Sequence, residues 1–142
     1  MKKLNLNFKT KQLDPSVTSV VSILEDFGKQ ISEYSDGYFT NITVTTTYEG
    51  AIKNVSLYIL APYINVDYKI IEVELTSVVE VEISFFTLIT KQVQKDLIRI
   101  DDEYAAFTDK VRDLLGSGLA NASFKFLMDQ IDEKKKYSED YQ

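Results

Sequence analysis

The chain contains no cysteine and no histidine, and only two prolines and five glycines among its 142 residues. The first absence excludes disulfides, thiolate metal sites and cysteine nucleophiles, and it fits the cytoplasm. The second removes the commonest general base and transition-metal ligand, and with it any Ser-His-Asp arrangement. Catalysis would be left to carboxylates, Tyr, Lys or a hard cation held by oxygens. The composition therefore weighs against an enzyme, and no metal or other cofactor is expected. The glycines are too few and too scattered for a phosphate loop or a dinucleotide fingerprint.

Long apolar runs are missing too. None approaches the roughly 20 residues that span a bilayer. The opening Met1-Lys2-Lys3-Leu4-Asn5-Leu6-Asn7-Phe8-Lys9 has no apolar h-region and does not read as a signal peptide. A cytoplasmic protein with no membrane contact is the expectation. Cations are in the minority, 16 Lys and Arg against 22 Asp and Glu, for a net charge of −6. Nucleic-acid affinity rests on cations meeting phosphates, so no nucleic-acid partner is expected; a basic protein is the natural one.

What is present is a folding chain. Apolar residues make up 44% of the sequence, enough for one core, and residues 1–136 are expected to form a single domain with a frayed tail over 137–142. Leu4, Leu6 and Phe8 alternate with Asn5, Asn7 and Lys9 as in a half-buried strand. This strand is expected to pair within the sheet, setting Lys3, Lys9 and Lys11 against acids. Asp14-Pro15 is a helix start, and Val17, Val20, Val21, Leu24, Phe27, Ile31 and Tyr34 recur at helical steps until Ser35-Asp36-Gly37 ends the run. From Tyr38 the period becomes two: 38–48 and 53–60 read as a hairpin turning at Glu49-Gly50-Ala51, with a second turn around Pro62 and Asn65. Residues 66–88 are strand-like throughout. Their apolar members from Ile71 to Phe85 are all odd-numbered, which calls for one long bent strand or for two joined by an odd-numbered loop, since a two-residue loop reverses the parity; length favours two.

Residues 89–100 fit either state, as a helix through Ile89, Val93, Leu97 and Ile100 or as a strand through Ile98 and Ile100. Asp101-Asp102-Glu103 reads as a helix start, followed by a stripe of Tyr104, Phe107, Val111, Leu114 and Leu115. After Gly116-Ser117-Gly118 comes a last helix with the stripe Leu119, Ala122, Ser123, Phe126, Leu127 and Ile131, ending in Lys134-Lys135-Lys136. The order β-α-β-β-β-(β)-α-α predicts an α+β two-layer sandwich, a mostly antiparallel sheet of four or five strands packed on one face by three helices.

Two constellations carry candidate function. Glu72, Glu74, Glu80 and Glu82 alternate with apolar residues; along an extended strand neighbours on one face stand about 7 Å apart. Such a row is compatible with a carboxylate pair or a loosely held cation, but it is also how a wet sheet face looks, so the expectation is a solvated, partner-binding face. Tyr48, Tyr58, Tyr63 and Tyr68 would suit a pocket in a curved sheet where a hydroxyl and a carboxylate meet a small ligand; the plainer reading is rings packed at the sheet margin. The acidic triplet 101–103 lacks the spacing and glycine of a calcium loop and reads as a cap. Three Asn-X-Ser/Thr triplets, at 41, 54 and 121, fall in expected strands and a helix, where glycosylation is not expected.

Three functions follow. The first is a non-catalytic acidic protein-binding module, immunity- or antitoxin-like or a small chaperone. The second is a small-ligand-binding or isomerase-like protein with a Tyr/carboxylate pocket, and the third a structural homo-oligomer subunit, which an exposed apolar patch or sheet edge would favour.

Overall fold

The computed structural model describes residues 15–50, 52–77, 79–90, 93–101 and 103–140. The strand expected over Leu4, Leu6 and Phe8, and the capping role of Asp14, lie outside them. The chain folds as helix α1 (Pro15–Tyr34), strands β1 (Asn41–Glu49), β2 (Ile52–Ala61), β3 (Val66–Leu75), β4 (Glu80–Phe86) and β5 (Val93–Arg99), then helices α2 (Ala105–Leu115) and α3 (Gly118–Asp140). The strands form one antiparallel sheet in sequence order, and the helices pack on one face of it. This is the expected α+β class, with one strand more after the first helix than the sequence order provides.

Helix α1 buries Val17, Val20, Leu24 and Phe27 at steps of three and four, and ends where Asp36 and Gly37 take φ of 52° and 87°, a region that Gly enters freely and Asp tolerates. The Ser35 hydroxyl donates to the Ser32 carbonyl at 2.9 Å and accepts the Phe39 N–H at 3.1 Å. Tyr38 and Phe39 therefore belong to this turn, and the strand begins at Asn41 rather than at Tyr38. Gly28 lets α1 approach the sheet: a Cβ there would stand 2.5 Å from Ile42 Cγ2 and 3.2 Å from Leu57 Cδ1. Ala has the better helix propensity by about 1 kcal/mol, but forcing extra volume between a stiff Ile and a buried Leu costs about 1–3 kcal/mol. Gly28→Ala is thus expected to lower stability by about 1 kcal/mol net, and a urea midpoint at or above that of the parent would show that α1 has room to move.

The parity puzzle in 66–88 has two parts. Leu75 pairs with Val81, two odd-numbered residues with an odd number of positions between them, so the odd residues keep the core face on both strands. The turn chemistry missing from its sequence is supplied by Ser77, whose Oγ accepts the N–H groups of Val79 and Glu80 at 3.2 and 3.1 Å. Val79 consequently leaves the apolar row and is half exposed. Further back, the β2–β3 register slips between Leu57/Ile71 and Tyr58/Lys69. Ile70 is the extra residue of a bulge, so Tyr68, Ile70, Ile71, Val73 and Leu75 are all buried.

Residues 93–99 are strand. Ile98 turns inward while Leu97 and Val93 stand in solvent, which removes the apolar stripe a helix would have needed. The Ile100 N–H donates to the Val79 carbonyl at 2.7 Å. Asp101 does cap α2, reaching past Tyr104 to accept the N–H groups of Ala105 and Ala106 at 2.7 and 3.3 Å. Ser117 closes α2 and opens α3 at once, its hydroxyl donating to the Leu114 carbonyl at 2.7 Å and accepting the Ala120 N–H at 3.2 Å. Helix α3 is rotated from its expected setting. Ala120, Ser123, Leu127 and Ile131 are buried, whereas Leu119 and Phe126 are more than 40% exposed, at 43% and 44%. It also runs past the three lysines to Asp140, because nothing in Tyr137-Ser138-Glu139-Asp140 breaks a helix.

Candidate functional site

Antiparallel pairing makes each residue share a face with its partner across the ladder. On the side of the sheet away from the helices this produces the rows Asn54, Glu74, Glu82, Leu97 and Ser56, Glu72, Ser84, Lys95, with Glu80 opposite Arg99 beyond them. All four glutamates share this outer face, and no element among the described residues covers it. Their surroundings differ. Glu72 is partly buried: its Oε2 accepts from Lys69 Nζ at 2.6 Å and from the buried Ser56 hydroxyl at 3.4 Å. Lys69 Nζ also lies 5.8 Å from the centre of the Tyr58 ring and 5.7 Å from that of Phe86, and its pKa is raised, chiefly by the hydrogen bond to Glu72. Glu82 is 3.9 Å from Lys95 Nζ. Glu74 makes no ion pair with a described residue and faces Glu82 directly across the ladder. Like charges so placed are destabilising.

Solvated carboxylates of this kind can attract cations but lack the enclosure that tunes a catalytic acid or base. Among the described residues no three acidic side chains are grouped to hold a metal ion, and no helix is long and apolar enough to cross a membrane.

The four tyrosines are not brought together. Tyr58 is on the outer face beside Lys69, whereas Tyr68 is buried on the helix side, its hydroxyl donating to the Phe86 carbonyl. Burial raises the Tyr68 pKa, partly offset by a hydrogen bond with Ser123. Tyr63 lies on the turn after β2 with Lys135 Nζ 5.4 Å from its ring centre, and Tyr48 stands 59% exposed near the end of β1. A different tyrosine makes the strongest contact with an acid: the Tyr38 hydroxyl donates to Asp132 Oδ1 at 2.5 Å, which raises the Tyr38 pKa.

A groove of about 630 Å³ lies elsewhere, between the end of α1 and helices α2 and α3. Phe27, Ile31, Phe39, Phe124 and Met128 line it, with Arg112 and Lys125 at its rim, and none of the described residues lining it is an acid. Phe39 and Phe124 meet at 5.9 Å between ring centres with their planes tilted by 49°. Both rim cations are occupied, Arg112 by Asp109 at 2.9 Å and Lys125 by Asp129 at 3.2 Å. The sequence signal for this groove was Phe124 and Met128, an i, i+4 pair beside the buried stripe of α3 that widens its apolar arc.

Compared with protein-family models, characterised proteins and solved structures, the chain matches none.

Proposed function

We propose that the chain is a non-catalytic protein-binding module, immunity- or antitoxin-like or a small chaperone, that receives a basic, extended segment on the outer face of its sheet. The observation that carries this reading is the Glu74–Glu82 pair, two acids directly opposite each other on a sheet face that no described element covers. Such a pair costs folding free energy in the free protein, and a Lys or Arg of a partner laid across it would relieve that cost. The flanking Lys69–Glu72 and Glu82–Lys95 bridges, exposed enough to be worth only about 0–1 kcal/mol each, would orient the approach without neutralising it.

The reading makes two measurements informative. Glu74→Gln is expected to raise stability by about 0.2–1 kcal/mol, and Glu72→Gln to lower it, since the ammonium of Lys69 loses its charged acceptor. Binding is tested with a synthetic Lys-rich peptide of extended composition, followed by anisotropy at low and physiological salt. The double change Glu74→Gln, Glu82→Gln should reduce its association rate several-fold at low salt, and less at physiological ionic strength, where screening acts over about 8 Å. The control removes equal charge from the helix side, Glu25→Gln with Asp113→Asn. Equal losses in both proteins would reduce the attraction to net charge and overturn the docking face.

The groove favours a second reading, a small-ligand binder, because its volume falls in the range of ligand pockets. With no carboxylate among the described residues lining it, that reading extends to holding an apolar molecule and not to acid–base chemistry of the isomerase kind.

A further inference from the structure

Among the described residues the sheet ends in β1 on one side and β5 on the other, and these two edges are built differently. β5 carries Lys95, Asp96 and Arg99, charges of the kind that keep a strand edge from pairing with another chain. β1, Asn-Ile-Thr-Val-Thr-Thr-Thr-Tyr-Glu, has no charge before Glu49, no proline and no bulge in its pairing with β2. From this contrast we infer that β1 is a self-association edge, and that two copies of the chain join through it, antiparallel about a two-fold axis at Thr45, into one continuous ten-stranded sheet.

The register follows from the hairpin. Glu49 and Ile52 flank a two-residue loop and form its hydrogen-bonded closing pair, so every second residue back from Glu49 points its N–H and C=O toward β2. Ile42, Val44, Thr46 and Tyr48 therefore direct theirs outward. A two-fold axis at Thr45 sets Val44 against Thr46 and Ile42 against Tyr48 of the second copy, and these are the positions whose main chains are free to bond; about eight inter-chain hydrogen bonds result. Thr45 then faces its own copy and Thr43 faces Thr47 in non-bonded pairs, where side chains come closest and Thr–Thr contacts are favourable.

The side chains agree with this register. On the helix side Ile42 and Val44 are only partly covered, and they line a cleft of about 340 Å³ between α1 and the edge. The exposed Tyr48 of the second copy would lie across Ile42, an aromatic on a β-branched residue, a pairing that stabilises sheets. Val44 would sit between Leu57 and the partner's Thr46, extending the buried row inward of the edge. On the outer side the row becomes Ser56, Thr45, Thr45, Ser56, uncharged across the axis. An axis at Val44 would set Tyr48 against Thr40 and one at Thr46 would set Ile42 against Gly50, so neither keeps the Ile42–Tyr48 pair, and an axis at Thr43 or Thr47 shortens the ladder further. The glutamate face stays open in the assembly, so this inference stands or falls independently of the proposed function.

Cysteine is absent from the chain, which makes cross-linking a clean test. The unmodified full chain should sediment at twice the 16.3 kDa of one copy, and a protein that remains monomeric at hundreds of micromolar overturns the inference. Under mild oxidation Thr45→Cys should go over almost completely to disulfide dimer, since non-bonded antiparallel pairs lie within the Cα separation of about 4.4–6.8 Å that a disulfide needs. Thr47→Cys should cross-link at least ten-fold more slowly, because it would face Thr43. Equal rates, or faster reaction at 47, would refute the register. Thr45→Lys, with circular dichroism to verify folding, should give a monomer; a folded variant that still dimerises would place the interface elsewhere.

Discussion

Replacing Phe39 by alanine is expected to cost about 3–5 kcal/mol, the range for emptying a buried aromatic site, and to lower the melting temperature by about 10–20 °C. Phe39 is almost wholly buried although it lies on no helix or strand. It is driven inward by the turn before it: the Ser35 hydroxyl accepts the Phe39 N–H, Ser35 also contacts the Phe39 carbonyl at 3.3 Å, and the left-handed Asp36 and Gly37 reverse the chain. The ring then meets Phe124 of α3 and forms the floor of the groove. Its removal deletes apolar contact with α3 and opens the groove toward the core, so the site has no easy way to collapse and the upper part of the range is expected. Tyr34 at the groove rim is the control. It is 82% exposed, and its change to Ala is expected to stay within about 0.5 kcal/mol. A loss below 1 kcal/mol at Phe39 would mean that the turn, and not the ring, holds α1 to α3.

Phe39 also marks what could be read from the chain and what could not. Tyr38 and Phe39 are strand-forming residue types at the head of an alternating run, and local preference alone assigns them to the strand. What moves them out is the Ser35 hydroxyl, a single contact between the end of a helix and the residue four positions on. The hairpin at Gly50, the turn at Asn65, the cap at 101 and the break at 116–118 were legible because each rests on residues with a particular local chemistry. The bulge at Ile70 was not, since Ile70 and Ile71 are equally apolar and nothing local marks which of them is the extra residue. The setting of α3 was hidden for a related reason. Leu119 and Phe126 are as apolar as Ala120 and Phe124, and which arc is buried depends on the angle at which Ser117 releases the helix. Residues 93–99 were ambiguous because an edge strand with an exposed Leu97 has neither a clean period of two nor one of 3.6. For the candidate face, alternation alone placed the four glutamates on one side. Their unequal partners come from the register across three strands, which no local pattern contains.

Ser123→Ala is expected to lower stability by about 1–3 kcal/mol, well above the cost of a small change on an exposed helix face. Ser123 is fully buried, and its Oγ accepts the Leu88 N–H at 3.0 Å. Ser123 also holds the Tyr68 pKa down against the effect of burial, and Tyr68 donates to the Phe86 carbonyl. The Leu88–Ser123 bond fastens the chain just beyond β4 to α3, and the Tyr68–Phe86 bond ties the end of β4 to β3. Alanine at 123 leaves the Leu88 N–H without its acceptor. The pH dependence identifies the network more sharply than the loss of stability does. Burial raises the Tyr68 pKa above its ordinary 10.0, so the folded state holds a proton that the unfolded state gives up first. Stability from this group is complete below pH 10 and falls as pH rises through the folded value. Tyr38, raised from 10.0 by its bond to Asp132, and Lys69, raised from 10.5, add to the same alkaline decline. Tyr68→Phe should therefore flatten the loss of stability above pH 10. Ser123→Ala should steepen it, because the hydrogen bond that favours the phenolate is gone and the folded pKa moves further up. Measured by urea unfolding from pH 8 to 11, identical alkaline limbs in the parent and in Tyr68→Phe would sink the assignment of this decline to Tyr68, whatever the two substitutions do at neutral pH.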